Sequence, residues 1–124
     1  MVIGIVGSRR RNTEEDYKKV EDTFLSIYTP GDTICSGGCP KGADNFAERI
    51  AEKYKIPIKI FKAEWKRLGK VAGFIRNTDI AKESDILIAC VSEDRTGGTE
   101  DTIKKFKKFH PPIFQFYYSK IIIC

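Results

Sequence analysis

The sequence has few residues that could bind a metal ion, and it has no long apolar segment. Its one histidine, His110, lies beside Pro111, and the cysteines form no Cys-x-x-Cys pair. Zinc sites need closely spaced ligands of these types, so we expect neither a metal ion nor another cofactor. The apolar stretch at residues 1–7 is too short for a signal-peptide core or a membrane span. We therefore expect a cytoplasmic protein with no membrane segment.

The four cysteines, Cys35, Cys39, Cys90 and Cys124, could form two disulfides. Without a signal peptide, reduced thiols are the better expectation, because disulfides persist in oxidising compartments. Cys90 ends an apolar run, and we interpret it as a small core residue.

The length of 124 residues suits one domain, since single domains most often have roughly 100–150 residues. No repeat, low-complexity tract or linker divides the chain, so residues 1–124 are assigned to a single domain. The formal net charge of +5 indicates either a solvated surface of lysine-rich helices or attraction for phosphate-bearing ligands and nucleic acid. Because the lysines are spread along the chain, we favour the first interpretation.

Short apolar runs alternate with amphipathic stretches along the chain. The apolar runs predict strands at residues 2–6, 33–35, 56–61, 86–91 and 113–117. Apolar residues at helical spacing predict helices between them, the third at residues 73–81 and the fourth at residues 99–109. Thr13 and Asp16 resemble a capping box at the start of the first helix, and Pro30-Gly31 ends it.

This alternation predicts an α/β fold. Parallel strands need a crossover connection, and a helix between successive strands provides it. Continuous apolar runs are typical of strands that helices cover on both faces. We therefore predict a Rossmann-like, doubly wound, mainly parallel sheet of about five strands with helices on both faces. Pro57 indicates an edge position for the third strand.

Four polar or glycine-rich segments each follow a predicted strand, at residues 7–11, 36–44, 69–77 and 96–99. In doubly wound sheets, ligands bind at the carboxyl ends of the strands, near the point where the winding reverses. We therefore expect all four segments to meet in one site at that edge of the sheet.

Two of these segments, residues 36–44 and 96–99, are glycine-rich turns between a strand and a helix. Such a turn lets the backbone approach a ligand, and the helix that follows offers free N–H groups to an anion. Each turn could also have a purely structural role. Asp44 could stabilise the helix start, accept hydrogen bonds from a ribose or position the loop. The Thr99 hydroxyl could cap its helix or bind a phosphate.

Two further side chains are open to two interpretations each. Arg76 could bind a phosphate or carboxylate bidentately, or it could lie on the surface and pair with Asp79 or Glu83. For Trp65 we favour a place in the core over one at the lid of a pocket. The candidate ligand-binding residues are Gly7, Ser8, Arg9, Ser36, Gly37, Gly38, Lys41, Gly42, Asp44, Arg76, Asn77, Gly97, Gly98 and Thr99.

Taken in order, these motifs resemble the YspA/YpsA-related branch of the SLOG superfamily. The resemblance extends over nearly the whole chain, from residue 2 to about residue 109. It implies a Rossmann-like domain that binds or senses a nucleotide or a nucleotide-derived ligand. The matching motifs are Gly7-Ser8-Arg9, Ser36-Gly37-Gly38 with Gly42-Ala43-Asp44, Ala63-Glu64-Trp65, Gly69-Lys70 with Ala72-Gly73, Arg76-Asn77 and Gly98-Thr99.

The same superfamily includes the cytokinin-activating phosphoribohydrolases of the lysine-decarboxylase-like family, which cleave the N-glycosidic bond of nucleoside monophosphates. The resemblance implies that Arg76 corresponds to their helical arginine, with Glu100 and Asp101 as the candidate catalytic carboxylates. Arg95-Thr96 stands where those enzymes have two glycines, so ligand binding is the leading hypothesis and hydrolysis the alternative. Another branch, DNA-processing protein A, binds single-stranded DNA. The basic charge permits this third hypothesis.

The last residues of the sequence include three consecutive isoleucines, Ile121, Ile122 and Ile123. An exposed β-prone segment favours self-association. It therefore predicts a homodimer that forms through this segment or through a helical face. The alternative is that the segment folds back as an extra strand of the same sheet.

Overall fold

The computed structural model describes residues 1–110 and 120–124 of the chain. Within these residues, five strands form one sheet: β1 (Val2–Gly7), β2 (Thr33–Ser36), β3 (Ile58–Ile60), β4 (Ile86–Cys90) and β5 (Lys120–Ile123). Their order across the sheet is β3-β2-β1-β4-β5, and all neighbouring strands are parallel. The predicted doubly wound α/β fold is confirmed, and β3 lies at an edge as Pro57 indicates.

Helices connect successive strands: α1 (Glu14–Ile27), α2 (Ala43–Tyr54), α3 (Trp65–Leu68), α4 (Ala72–Glu83) and α5 (Gly98–Phe109). A 3₁₀ turn at Gly69–Val71 joins α3 to α4. The sequence pattern predicts α4 and α5 to within about two residues but does not predict α3, which is too short for a periodic apolar pattern. Among residues 1–110 and 120–124, no helix has the length and apolarity to cross a lipid bilayer.

Each face of the sheet has its own hydrophobic core. The first core combines β1, α1 and α2, with Ile5, Phe24 and Ile50 fully buried. The second combines β4, α4 and α5, with Leu87 and Phe106 fully buried. Successive residues of a strand point to opposite faces, so the continuous apolar run of β4 supplies both cores, and all its residues are buried.

The start of α1 is fixed by the predicted capping box and by an arginine. The Thr13 hydroxyl accepts a hydrogen bond from the Asp16 N–H at 3.1 Å, and the Asp16 carboxylate accepts one from the Thr13 N–H at 3.2 Å. Arg11 pairs with Asp16 at 2.8 Å and donates to the main-chain oxygens of Val91 and Cys124. Arg11 therefore ties α1 to the carboxyl ends of β4 and β5.

The C-terminal isoleucines fold back into the sheet of their own chain. β5 pairs with β4 from Ile86 opposite Lys120 to Ala89 opposite Ile123. The segment therefore forms an extra strand of the same sheet, which is the alternative to self-association. The strand predicted at residues 113–117 lies outside the described residues. Ile123 remains 46% exposed, and the homodimer stays a prediction.

Lys55 provides a test of the backbone geometry at the end of α2. It lies in the left-handed conformation, with φ 57° and ψ 47°. That conformation costs a residue with a side chain about 1–2 kcal/mol, whereas glycine adopts it freely but loses more backbone entropy on folding. We expect Lys55→Gly to raise the free energy of unfolding by about 0.5–1 kcal/mol, measured by denaturant unfolding.

Glu52→Gly is the matched control, since Glu52 is an exposed position inside the same helix. Glycine there should lower the free energy of unfolding by about 1 kcal/mol. Equal losses in the two variants would contradict the interpretation of Lys55.

Candidate functional site

A cleft of about 750 Å³ opens at the carboxyl end of the sheet. It lies beside the ends of β1 and β4. Strands β2 and β3 lie on one side of β1, and β4 and β5 lie on the other, so the winding of the sheet reverses at this point. All four segments that were expected to meet contribute to its wall. The predicted site residues in the wall are Gly7, Ser8, Arg9, Asp44, Arg76, Asn77, Gly97, Gly98, Thr99 and Asp101.

The other predicted site residues lie outside the wall: Ser36, Gly37, Gly38, Lys41, Gly42 and Glu100. Gly38 and Gly42 both have a φ of 76°, so each needs the freedom of glycine for the turn itself. The Gly42 N–H donates to Oδ1 of Asn12 at 2.8 Å. Lys41 is exposed on this loop.

Arg76 is held in the cleft wall by neutral acceptors. Its Nη1 donates to the Gly37 carbonyl at 3.0 Å, and its Nε donates to Oδ1 of Asn77 at 3.0 Å. Arg76 forms no ion pair with any described residue. The interpretation as a surface partner of Asp79 or Glu83 is therefore wrong. A guanidinium has five N–H donors, so several remain for a ligand.

Asp44 is buried behind Arg76 and organises the loop that follows β2. Its carboxylate accepts hydrogen bonds from the Ser36 hydroxyl at 3.0 Å and from the Cys39 N–H at 3.1 Å. Burial raises the pKa of the Asp44 carboxyl, and the Cys39 N–H and the Arg76 charge offset only part of that effect. Of the three roles considered for Asp44, positioning of the loop matches these contacts.

The N-terminus of α5 lies in the cleft wall through Gly97, Gly98 and Thr99. Gly97 is the N-cap, with a φ of 101°, and no side chain of the described residues caps the helix. The role of the Thr99 hydroxyl as a cap is therefore wrong. The free N–H groups of the first turn and the helix dipole favour an anion at this position.

The two acidic candidates on α5 have different surroundings. Asp101 lines the cleft, and its Oδ2 accepts hydrogen bonds from Nδ2 of Asn77 at 3.1 Å and from Nζ of Lys105 at 2.8 Å. Glu100 lies outside the cleft wall and pairs with Arg95 at 2.8 Å. Of the two carboxylates, Asp101 is therefore the one that can reach a ligand in the cleft.

Arg10 joins the loop after β1 to the loop after β4. Its guanidinium contacts both carboxylate oxygens of Asp94, at 2.7 and 2.8 Å, and Oγ1 of Thr96 at 2.9 Å. Hydrogen bonds from Arg10, Ser92 and Thr96 hold the pKa of the Asp94 carboxyl well below its usual range. Sequence reasoning missed this pair, because the partners are 84 residues apart in the chain.

Positive charge dominates the wall of the cleft. Arg9 and Lys70 line it, and neither forms an ion pair with a described residue. Lys70 belongs to a segment that the sequence singles out, but a lone exposed lysine gives no signal of its own. Within residues 1–110 and 120–124, no group of three His, Cys, Asp or Glu side chains is placed to bind a metal ion.

Two aromatic side chains, Trp65 and Phe74, line the cleft and remain largely exposed. Their exposed fractions are 53% and 57%, so the preference for Trp65 in the core is wrong. A Cβ on Gly73 would lie 3.0 Å from Cη2 of Trp65. The missing side chain at Gly73 therefore gives the indole room against the start of α4.

Similarity to known proteins does not identify the function of this chain. No protein-family model matches the sequence, and no solved structure matches it. The chain is similar to the Gene 61 protein of Mycobacterium phage D29, with 26% identity over 91 residues. The match covers 69% of this chain and 72% of the phage protein. The name of that protein states neither a ligand nor an activity.

Gly37 packs directly against the two charged side chains at the back of the cleft, which provides a test of their placement. A Cβ there would lie 2.6 Å from Nη1 of Arg76 and 2.8 Å from Oδ2 of Asp44. We expect Gly37→Ala to displace the guanidinium and to lower the free energy of unfolding by about 1–3 kcal/mol. Denaturant unfolding of the wild type and the variant measures this loss.

Gly98→Ala is the matched control at the start of α5. Among the described atoms, a Cβ at Gly98 would meet only Nδ2 of Asn77, at an ordinary distance of 3.6 Å. Alanine favours helix over glycine, so we expect no loss and a gain of up to about 1 kcal/mol. A Gly37→Ala variant as stable as the wild type would contradict the packing argument.

Proposed function

We propose that this domain binds a nucleotide or a nucleotide-derived ligand in the cleft at the carboxyl end of its sheet. One observation carries the proposal: Arg9, Lys70 and Arg76, without ion-pair partners among the described residues, lie in the same wall as the uncapped N-terminus of α5. Unpaired cations and a helix N-terminus both favour an anion, and a phosphate group suits both.

The size and position of the cleft support the same ligand class. Its volume of about 750 Å³ is typical of pockets that hold small molecules, which have roughly 300–1,000 Å³. It lies where the winding of the sheet reverses, which is the usual ligand position in doubly wound folds. The resemblance to the SLOG superfamily adds support, and a cytoplasmic location is part of this proposal.

Hydrolysis of the N-glycosidic bond is a second candidate function, and it is supported by Asp101. A carboxylate beside a bound ribose could stabilise a developing positive charge or activate a water molecule. However, the ammonium of Lys105 lies 2.8 Å from Oδ2 of Asp101. It offsets much of the negative charge of the Asp101 carboxylate. Binding without hydrolysis is therefore the main proposal.

Isothermal titration calorimetry with mononucleotides, dinucleotides and ADP-ribose tests the proposed function directly. We expect at least one of them to bind with a Kd below the millimolar range. The absence of binding by a folded protein at millimolar ligand would reject the proposal. Chromatography of the same mixtures detects free base and so distinguishes hydrolysis from binding.

The nucleic-acid alternative is tested by titrating a single-stranded oligonucleotide into the protein at low and at high salt.

Substitution of Arg76 tests its role in nucleotide binding. Arg76→Lys should weaken binding nearly as much as Arg76→Ala, because lysine cannot reproduce a bidentate contact. Loss of a charge-assisted hydrogen bond of about 1.5–3 kcal/mol raises the Kd roughly tenfold to over a hundredfold. Calorimetry measures the Kd, and thermal melting checks that each variant is folded.

Lys41→Ala is the control for these variants, since Lys41 is an exposed cation outside the cleft wall. Its Kd should equal that of the wild type. An Arg76→Lys variant with unchanged affinity would mean that only a positive charge is needed at this position.

Alkylation of Cys39, which lines the cleft and is partly exposed, tests where the ligand binds. Burial raises the pKa of the Cys35 and Cys90 thiols to about 11, so both should resist N-ethylmaleimide. We expect a saturating nucleotide to slow the modification of Cys39 severalfold, as measured by mass spectrometry of peptides. Cys124, partly exposed and outside the cleft, is the internal control, and equal slowing at both thiols would argue against a ligand in the cleft.

A further inference from the structure

Exposed apolar side chains are concentrated on one stretch of the chain beside the cleft. Trp65, Val71, Phe74 and Ile75 are all exposed, and they lie on α3, the turn after it and the start of α4. Single exposed apolar residues are normal on protein surfaces, whereas a group of them marks a binding surface. Trp65 and Phe74 are the two that line the cleft itself.

The aromatic side chains lie close to the cations of the cleft. The benzene ring of Trp65 lies over Gly73, and Arg76 follows Gly73 by three residues on α4, roughly 4.5 Å along the helix axis. Phe74 precedes Arg76 by two residues on the same helix, and the ammonium of Lys105, outside the cleft wall, lies 5.3 Å from the centre of the Phe74 ring. A ligand whose anionic group contacts Arg76 would therefore have its next few atoms beside these rings.

We infer that Trp65 and Phe74 form a stacking subsite for the aromatic base of a nucleotide. This inference rests on the proposed function and narrows it: the ligand carries a planar base as well as a phosphate, and it is not a sugar phosphate alone. The phosphate lies at Arg76 and the N-terminus of α5, and the base lies at the outer end of the cleft. Stacking of this kind accepts different bases, because every base has a π-face.

Trp65 is the only tryptophan in the sequence, so its fluorescence reports on this subsite alone. The experiment titrates AMP, GMP, CMP, UMP and ribose 5-phosphate into the protein, and it records calorimetric heat and tryptophan fluorescence together. We expect at least one nucleotide to bind roughly fivefold to a hundredfold more tightly than ribose 5-phosphate. That nucleotide should change the fluorescence, whereas ribose 5-phosphate should not.

Three variants separate stacking from other effects of the side chain. Trp65→Ala should lower nucleotide affinity most of the way to that of ribose 5-phosphate, since Phe74 remains, without changing the affinity for ribose 5-phosphate. Trp65→Phe should keep most of the preference for the nucleotide. Phe109→Ala removes an exposed aromatic side chain outside the cleft, and it should behave as the wild type does.

The possible outcomes are distinct. Equal affinity for every nucleotide and ribose 5-phosphate would overturn the stacking subsite while the proposed phosphate binding stands. Nucleotide binding that is unaffected by Trp65→Ala would also overturn it. If neither the nucleotides nor ribose 5-phosphate bind to the folded protein, the inference fails. The proposed function fails with it when dinucleotides and ADP-ribose do not bind either.

Discussion

The cleft depends on the close approach of the Gly37 backbone to the guanidinium of Arg76. The Gly37 carbonyl accepts a hydrogen bond from Arg76, and a Cβ on Gly37 would meet both that guanidinium and the Asp44 carboxylate. Asp44 in turn holds Ser36 and the Cys39 N–H. Since these contacts join the loop after β2 to the helix α4, a side chain at Gly37 would displace the guanidinium that the wall presents to a ligand.

The fold could be predicted from the sequence because its strands are covered on both faces. Such strands appear as continuous apolar runs, and residues 86–91 show this most clearly. The position of β5 could not be predicted in the same way. Residues 113–117 and the three C-terminal isoleucines both have the composition of a strand, and only the pairing of Ile121 with Leu87 distinguishes the second as the neighbour of β4.

The site could be predicted only in part. Parallel strands bring their carboxyl ends to one edge, so the segments that meet there follow from the strand order. The hydrogen-bond and ion-pair partners of individual side chains do not follow from the strand order. Nothing near Arg10 in the sequence indicates Asp94, and nothing in residues 99–101 tells which carboxylate points to the cleft. The size and apolar character of Trp65 favour a place in the core, whereas no residue of α3 is buried.

The charged side chains around the cleft fix the positions of its loops but contribute little to the free energy of unfolding. Arg10 and Asp94 have exposed fractions of 57% and 54% for their side chains, and exposed ion pairs add little to the free energy of unfolding because water screens them. Their bidentate contact nevertheless fixes the loop after β1 against the loop after β4. Asp44 has the opposite balance, because burial makes its ionised form unfavourable. The Arg76 charge offsets part of this cost, so Asp44 positions the loop beside Arg76 at some expense of stability.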